Sequence, residues 1–288
     1  MTDPRGTLAV RSSGFYAAKA AVTRARSVAW QVRGTRGSRA AGRGVRILFY
    51  HRISDDRDEL AVPRRRFDDQ LALLADEGYR GVSVEDAMRL VDAGEPVERV
   101  VALSFDDGYR DVYEHAVPEL ERHGFRATVF VAPGIVDGSA RLAWYERQPP
   151  VLDWDLITEL DGAGTLVFGA HTITHPNLLL LDDADAAFEI RESKRELESR
   201  LHHEVETFCY PAGLFGKREE QLAADAGFRW ATSCEPGANT RETNRLALRR
   251  VQIDRRDRLI DFRAKLAGGH DRPLALRNAY RRARYGRR

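Results

Sequence analysis

Sulfur is scarce in this 288-residue sequence, which contains two cysteines and two methionines. Cys209 and Cys234 form no C-x-x-C pair, so a disulfide framework and a cysteine-based metal site are both excluded. A single bridge between them stays open as an alternative. Long apolar runs are also missing. The longest stretch without Lys, Arg, Asp or Glu, residues 162–181, contains two His, one Pro and three Gly, unlike a membrane-spanning helix.

The N-terminus has neither the continuous apolar segment nor the small-residue cleavage site of a secretory signal peptide. The sequence therefore predicts a cytoplasmic protein. Its net charge of +2 is unevenly distributed: residues 1–46 carry +9 and residues 277–288 carry +6, which leaves −13 for the rest. Such basic ends fit peripheral contact with an anionic membrane, on its inner face, or solvated arginine tails without a partner. No nucleic-acid-binding motif accompanies the charge, and the sequence does not determine the oligomeric state.

The basic N-terminal region is predicted to contain one weakly amphipathic helix. Its apolar positions recur at intervals of three and four, at Phe15, Ala18, Val22, Ala25, Ala29 and Val32. This shallow face would bind a membrane only with electrostatic help, and docking on the protein's own domain is an equal alternative. Residues 34–44 read as a linker. We therefore expect an extension over 1–44, a compact domain over 45–268 and a basic tail over 269–288.

Within the compact domain, short apolar runs alternate with helical patterns. The predicted strands cover residues 45–50, 100–105, 128–132, 165–170, 207–210, 229–232 and 248–253. The predicted helices cover residues 64–77, 84–93, 110–123, 153–160, 182–200 and 217–226. Seven strands that alternate with helices predict an α/β fold, a distorted (β/α)7-type barrel of mostly parallel strands.

Ionisable side chains follow several of these strands directly. In parallel α/β barrels the carboxyl ends of the strands form the active site. The residues at these ends are His51, Asp106, Asp107, His171, His175, Tyr210 and Pro211. We therefore expect them to share one rim of the barrel.

Two of these groups suggest metal chemistry. Asp106 and Asp107 point in different directions as the chain leaves its strand, so one carboxylate can bind a cation while the other addresses water. His171 and His175 add two imidazoles, which completes a three-ligand set with open coordination positions. An Asp-Gly turn and two structural histidines are the alternatives. The occurrence of both groups in one chain favours the metal site.

The segments Ser104-Phe-Asp-Asp-Gly108 and His171-Thr-Ile-Thr-His175 resemble the first two motifs of the NodB-like polysaccharide deacetylases, carbohydrate esterase family 4. The resemblance extends over residues 45–253. It implies that Asp107, His171 and His175 bind one divalent metal ion and that Asp106 is the catalytic base. Zn²⁺ is the first expectation for the ion, with Co²⁺, Ni²⁺ or Fe²⁺ as alternatives.

The segment from Phe208 to Gly213 is similar to the third motif of the family, in which many members carry an arginine that orients the base. Here Cys209 or Tyr210 stands near that position, so the helper is unassigned and Arg250 is only a weak candidate. We expect Tyr210 and Pro211 to line the substrate site, with the Tyr210 N–H directed at an oxyanion. A buried aromatic side chain at a strand end is the alternative for Tyr210.

The family's late Leu-x-His motif, which supplies the general acid, has no convincing counterpart after Ile253, and His270 is predicted to lie in an irregular tail. Leu48-Phe-Tyr-His-Arg52 instead resembles circularly permuted members such as the bacterial poly-N-acetylglucosamine deacetylases. The resemblance thereby implies that His51 is the acid. A histidine that merely packs on the first strand is the alternative.

The resemblance implies a metal-dependent hydrolase that removes N-acetyl groups from an acetamido sugar of a polysaccharide, an oligosaccharide or a lipid-linked glycan. In this reaction metal-bound water attacks, Asp106 takes the proton and His51 protonates the amine. An O-acetyl esterase or another amidohydrolase on the same fold is one alternative. A non-catalytic glycan- or anion-binding protein is an alternative of another class.

Overall fold

The computed structural model describes residues 13–32 and 44–271 of the chain. Residues 1–12, most of the predicted linker, and residues 272–288 of the predicted tail lie outside the described residues. The side chains of residues 13–16 and 32, which include two of the six predicted stripe positions, do so as well.

The described chain forms a nearly closed barrel of parallel strands. Its strands are β1 (Arg46–Tyr50), β2 (Arg52–Ile53), β3 (Ala61–Val62), β4 (Arg80–Val82), β5 (Val100–Phe105), β6 (Ala127–Val131), β7 (Leu166–Ala170), β8 (Thr207–Cys209), β9 (Trp230–Thr232) and β10 (Arg250–Gln252). The order around the barrel is β10-β1-β5-β6-β7-β8-β9, and β4 pairs with the first half of β5. Leu248 N–H donates to the Ala231 carbonyl at 2.8 Å, which brings β9 beside the segment that leads into β10. The predicted α/β barrel is confirmed.

Helices surround this barrel. They are α1 (Ser13–Val32), α2 (Arg64–Asp76), α3 (Val84–Ala93), α4 (Val117–Arg122), α5 (Pro133–Val136), α6 (Trp154–Ala163), α7 (Asp183–Leu201), α8 (Lys217–Asp225) and α9 (Leu259–Leu266). A π-helical turn, Val112–Ala116, precedes α4. Three helices begin at side chains that accept a hydrogen bond from the first turn, namely Ser83, Asp153 and Asp182. None of the described helices has the length and apolarity needed to cross a bilayer.

Two apolar layers fix the positions of the strands. Alternate side chains of each strand point to opposite faces. Ile47, Ala102, Phe130 and Trp230 belong to one buried cluster with residues of α3. The neighbouring positions belong to a larger cluster with the other helices. Because both faces of the sheet are covered, its strands are apolar throughout rather than alternating, which is why they stand out in the sequence.

Helix α1 packs on α9 through its polar side. Lys19 Nζ lies 2.8 Å from Asp254 Oδ1, Arg24 Nε donates to Asp261 at 2.7 Å, and Ser27 Oγ donates to the same carboxylate at 2.7 Å. The predicted helix is confirmed, and it docks on its own domain. It does so because the wholly buried Asp261 needs charged and hydroxyl partners, which the apolar stripe cannot supply.

Helix α1 also runs along the wall of the barrel. Lys19 lies near the carboxyl end of β10, where Asp254 follows the strand. At the other end of the helix, Gly269 packs so closely on Trp30 that a Cβ atom would lie 2.9 Å from the indole ring. The next residues hold the start of β1, because Asp271 forms an ion pair with Arg46 at 2.7 Å. The described part of the predicted tail, residues 269–271, begins as a turn that packs on α1 and β1, and His270 is buried there.

Candidate active site

The carboxyl ends of β5 and β7 bring three predicted metal ligands together. Asp107 Oδ1 lies 3.6 Å from His171 Nε2 and 3.5 Å from His175 Nε2. The two imidazole rings meet edge to face, with centroids 4.6 Å apart. Asp107 and His171 are buried, and His175 is half-buried. The expected grouping of one carboxylate and two imidazoles at one rim is present in the fold.

The backbone at this rim adopts a conformation that most residues avoid. Asp107, Thr172 and His175 have φ values of 71°, 64° and 60°. For residues with a Cβ atom such left-handed conformations are strained, and they persist only where the surrounding structure fixes them. The turns that orient the ligands are therefore specified by their surroundings as well as by local sequence.

Glu189 on α7 supplies part of that support. Its carboxylate accepts hydrogen bonds from the backbone N–H groups of Ile173 and Thr174, at 2.8 and 2.9 Å. Thr172 Oγ1 in turn accepts a bond from the His175 N–H at 3.0 Å. Glu189 was not predicted as a site residue, because nothing in the sequence of a helix marks one glutamate as the partner of a loop.

The surroundings of Asp107 fit a bound cation. Both of its carboxylate oxygens are buried and have no hydrogen-bond partner, an arrangement that is costly unless another positive group satisfies it. Burial raises the pKa of Asp107 to about 7. A cation at this position would favour the ionised carboxylate.

The two imidazoles are also suited to binding a cation. His171 Nδ1 lies 2.6 Å from the Cys209 carbonyl oxygen. Since a carbonyl only accepts, Nδ1 carries a proton, and Nε2 is the nitrogen that faces Asp107. Burial holds the pKa of His175 well below its usual value, which keeps this ring neutral. Asp107, His171 and His175 therefore fit a divalent cation.

Asp106 has a different partner from Asp107. Arg250 Nη1 and Nη2 donate to its two oxygens at 2.6 and 2.9 Å, and both side chains are buried. Burial alone would raise the pKa of Asp106, but the charge and hydrogen bonds of Arg250 outweigh it and hold that pKa below its usual range. Arg250, the weak candidate of the sequence analysis, is the arginine that contacts this carboxylate.

Cys209 is one of the residues that position the Arg250 guanidinium. Its sulfur lies 2.9 Å from Arg250 Nη2, and Arg250 Nε donates to the Ser233 carbonyl at 2.9 Å. Asp106, His171 and Cys209 are close enough to form a second ligand group. The two Asp106 oxygens are already bonded to Arg250, and burial raises the pKa of the Cys209 thiol, so the Asp107 group suits a cation better. No disulfide joins Cys209 to Cys234.

His51 lies within electrostatic reach of Asp106, Arg250 and His171. Burial lowers its pKa, and the Asp106 charge acts in the opposite direction. His51 follows β1 directly. Its ring is tilted relative to the ring of Phe49, and the two ring centroids are 5.8 Å apart. The next residue, Arg52, fixes the turn by ion pairs to three carboxylates, Asp111 at 2.7 Å, Asp58 at 2.9 Å and Asp56 at 2.6 Å.

The N–H of Tyr210 is placed differently from what the sequence predicts. The Tyr210 N–H donates to the Thr232 carbonyl at 3.2 Å, and its hydroxyl donates to the Leu246 carbonyl at 3.0 Å. Its ring stacks on Phe215 with centroids 4.5 Å apart. Pro211 is also buried, at the start of a short 3₁₀ turn. Because its N–H completes the β8–β9 pairing, Tyr210 does not offer that N–H to an oxyanion, which corrects the expectation.

An aromatic pair that was not predicted from the sequence lies beside the predicted metal ligands. The ring of Trp144 contacts His175 edge to face, with centroids 5.0 Å apart. Its neighbour Tyr145 donates its hydroxyl to Asp58. Both residues lie in the long connection between α5 and α6, where no periodicity exists to place them.

Comparison with known proteins identifies the family. A family model described as polysaccharide deacetylase matches residues 93–231. YxkH of Bacillus subtilis (strain 168), which is classed by name with the polysaccharide deacetylases, is 30% identical over 208 residues, 72% of this chain and 70% of that protein. The chain belongs to the polysaccharide deacetylases. This membership confirms the resemblance of the two motifs and the expectation of an enzyme.

Other polysaccharide deacetylase relatives agree with this assignment. The poly-beta-1,6-N-acetyl-D-glucosamine N-deacetylase of Staphylococcus aureus (strain MRSA252) is 22% identical over 215 residues, 72% of each chain. The deacetylase PplD of Streptococcus pyogenes, solved in complex with acetate, superposes with a TM-score of 0.69 at 25% identity, covering 77% of this chain and 98% of PplD. IcaB from Ammonifex degensii has the same fold, with a TM-score of 0.69 at 24% identity over 79% of this chain and 97% of IcaB.

Proposed function

We propose that this polysaccharide deacetylase removes N-acetyl groups from an acetamido sugar of a polysaccharide, an oligosaccharide or a lipid-linked glycan. Water is consumed, and acetate and a free amino sugar are released. The observation that carries the proposal is the difference in surroundings between two adjacent carboxylates. Arg250 donates two hydrogen bonds to Asp106, whereas Asp107 faces two imidazoles. Paired acids in contrasting environments are the usual basis of distinct catalytic roles. The name of the Staphylococcus aureus relative supports an N-acetylated amino sugar as the substrate.

Asp107, His171 and His175 are proposed to hold one divalent cation. Two imidazole nitrogens and one carboxylate oxygen suit Zn²⁺ first, and Co²⁺, Ni²⁺ or Fe²⁺ as alternatives. When bound, such an ion lowers the pKa of water and polarises a carbonyl oxygen. The chain itself supplies the base and the acid.

Asp106 is proposed to act as the base that takes the proton from the attacking water. Arg250 keeps this carboxylate ionised near neutral pH, because the ion pair opposes the effect of burial on its pKa. The two parallel hydrogen bonds from the guanidinium also fix the plane of the carboxylate. Asp106 therefore enters the reaction both charged and oriented.

His51 is proposed to act as the acid. An amide nitrogen leaves poorly unless it is protonated, and His51 is the histidine near Asp106 that is not part of the proposed ligand set. The Arg52 ion pairs hold the turn that carries it. His51 and Asp106 would then serve the two proton transfers of the hydrolysis separately.

The decisive experiment measures acetate release from N-acetylglucosamine oligomers by the cation-loaded protein, before and after chelation. Asp106→Asn should retain the cation and lose activity by a factor on the order of 10² to 10⁴. His171→Ala should lose the cation, as determined by elemental analysis. Full activity in Asp106→Asn would contradict the assigned base, and release from O-acetyl but not N-acetyl sugars would favour the esterase alternative.

A further inference from the structure

The side of α1 that faces away from the domain is entirely apolar apart from one edge. Its residues, here called the α1 outer face, are Ala18, Ala21, Val22, Ala25, Val28 and Ala29, and all are exposed. Val22 and Val28 are 50% and 45% exposed. They are two of the four large apolar side chains that stand exposed in the described part of the chain. Clustering of this kind marks an interaction surface more often than scattered apolar residues do.

Contacts on the opposite side of the helix keep this face outward. Asp261 is wholly buried and receives hydrogen bonds from Arg24 and Ser27. Ser27 also lies 3.0 Å from His270 Nε2. Turning the α1 outer face inward would leave the Asp261 carboxylate buried without these partners, which is strongly unfavourable. The exposure of the α1 outer face is therefore a fixed feature of the fold.

Positive charge accompanies the α1 outer face. Helix α1 has no acidic residue, and Arg26 is exposed at the edge of the face. The described chain ends at Asp271, beside the contact of Gly269 with Trp30 near the end of α1. Residues 272–288, which follow, contain seven arginines and no acidic residue. The apolar face therefore has an exposed cationic residue at its edge, and the sequence beyond Asp271 adds further positive charge.

We infer that the α1 outer face binds the surface of an anionic phospholipid bilayer. Apolar side chains on a helix that also carries basic residues suit the boundary between headgroups and acyl chains. An acidic polymer would pair with the arginines but would gain nothing from Val22 and Val28. A second copy of the chain would bring two cationic helices together, which is electrostatically unfavourable.

The test uses the full chain in sedimentation with vesicles of phosphatidylcholine that contain phosphatidylglycerol, and with vesicles of phosphatidylcholine alone. The wild-type protein should sediment with the anionic vesicles, less so at high salt because screening weakens charge attraction. The double variant Val22→Ser, Val28→Ser should lower the bound fraction several-fold. Phe188→Ser, which alters an apolar side chain on α7 that is 52% exposed, should bind as the wild type does.

Arg26→Gln tests in the same assay whether the positive charge at the edge of the α1 outer face contributes to vesicle binding. Arg195→Gln, on the exposed side of α7, is the matched control. Deacetylation of soluble oligomers should be unchanged in the double valine variant, which establishes that the fold is intact. The inference is overturned if the wild-type protein ignores anionic vesicles. It is also overturned if the valine variant binds them fully, which would indicate a purely ionic contact, or if that variant converts a dimer to a monomer, which would indicate a second copy.

Discussion

Asp106 and Asp107 are neighbours in sequence, yet the fold gives them opposite surroundings. Asp106 receives two hydrogen bonds from Arg250, whereas the oxygens of Asp107 receive none. The backbone at Asp107 also has a positive φ of 71°. The difference in pKa between the two carboxyls follows from the Arg250 hydrogen bonds that Asp106 receives and from the burial of Asp107 without such partners.

Replacement of Arg250 should change the pH dependence of the reaction. The proposed base works only when ionised, so the rate falls as the pH drops through the pKa of Asp106. Without the guanidinium, burial is unopposed and that pKa rises. In Arg250→Gln we expect the acid limb of the kcat/KM profile to move upward by about one to three pH units, with the cation content unchanged.

Arg250→Lys is the matched variant. It retains the charge but loses the two parallel hydrogen bonds, so its acid limb should lie between those of wild type and Arg250→Gln. A limb that stays in place in both variants would contradict the pairing of Arg250 with the base.

The residues that the fold brings together at the candidate site were predictable where a motif contains them. Asp107, His171 and His175 were found because they occur in two short motifs that follow apolar strands. Arg250 could not be assigned, since its distance from Asp106 is set by the pairing of β10 with β1 and of β1 with β5. Trp144 and Glu189 reach the site from a loop and a helix surface that have no local signature.

At the level of secondary structure, periodicity located the seven barrel strands and the six helices between them. It missed β4, whose sequence Arg80-Gly-Val82 forms no apolar run, the two-residue strands β2 and β3, the four-residue α5, and α9. Helix α9 buries Asp261 and Lys265 as well as apolar residues, so its inward face does not look hydrophobic in the sequence. The same buried polar contacts explain why α1 docks through its charged side.

The turn between β1 and β2 carries His51, and the ion pairs of Arg52 are proposed to hold this turn in place. Arg52 binds three carboxylates, and a lysine could not span them with one ammonium group. Arg52→Lys should lower the free energy of unfolding by about 1–3 kcal/mol and reduce kcat about tenfold with the cation retained, because His51 is held less firmly. Thermal melts and steady-state rates measure both effects.

Arg64→Lys is the control for this prediction. Arg64 pairs with Asp55 nearby, but both side chains are more than half exposed, and such pairs contribute little to stability. A loss in Arg64→Lys equal to that in Arg52→Lys would show that the turn does not depend on the buried network.

For the whole molecule, the proposed cation site at Asp107 would couple folding to cation binding. A ligand that binds only the folded chain stabilises it by about 2.7 kcal/mol at one hundred times its dissociation constant. For a domain of this size, this amounts to a rise in Tm of about 5–10 °C. Calorimetry with Zn²⁺ and with a chelator should detect this rise in the wild type and not in Asp107→Asn.

The chelated protein should also respond to pH in a defined direction. The pKa of Asp107 rises from 3.8 to about 7 on folding, so the folded state binds the proton more tightly than the unfolded state does. The free energy of unfolding of the wild type should therefore decrease, relative to Asp107→Asn, as the pH rises from about 4 to about 7. An identical pH dependence in both proteins would mean that this carboxylate is already satisfied without a cation.

The course of α1 along the barrel wall has a geometric consequence. Lys19 marks the end of the barrel that carries the candidate site and Trp30 the opposite end, so a protein resting on α1 would lie on its side with that site facing sideways. The candidate site would then contact only those sugars that lie in a thin layer just above the lipid headgroups. Sugars that pass through this layer would lose their acetyl groups, while more distant sections of the same glycan would keep theirs.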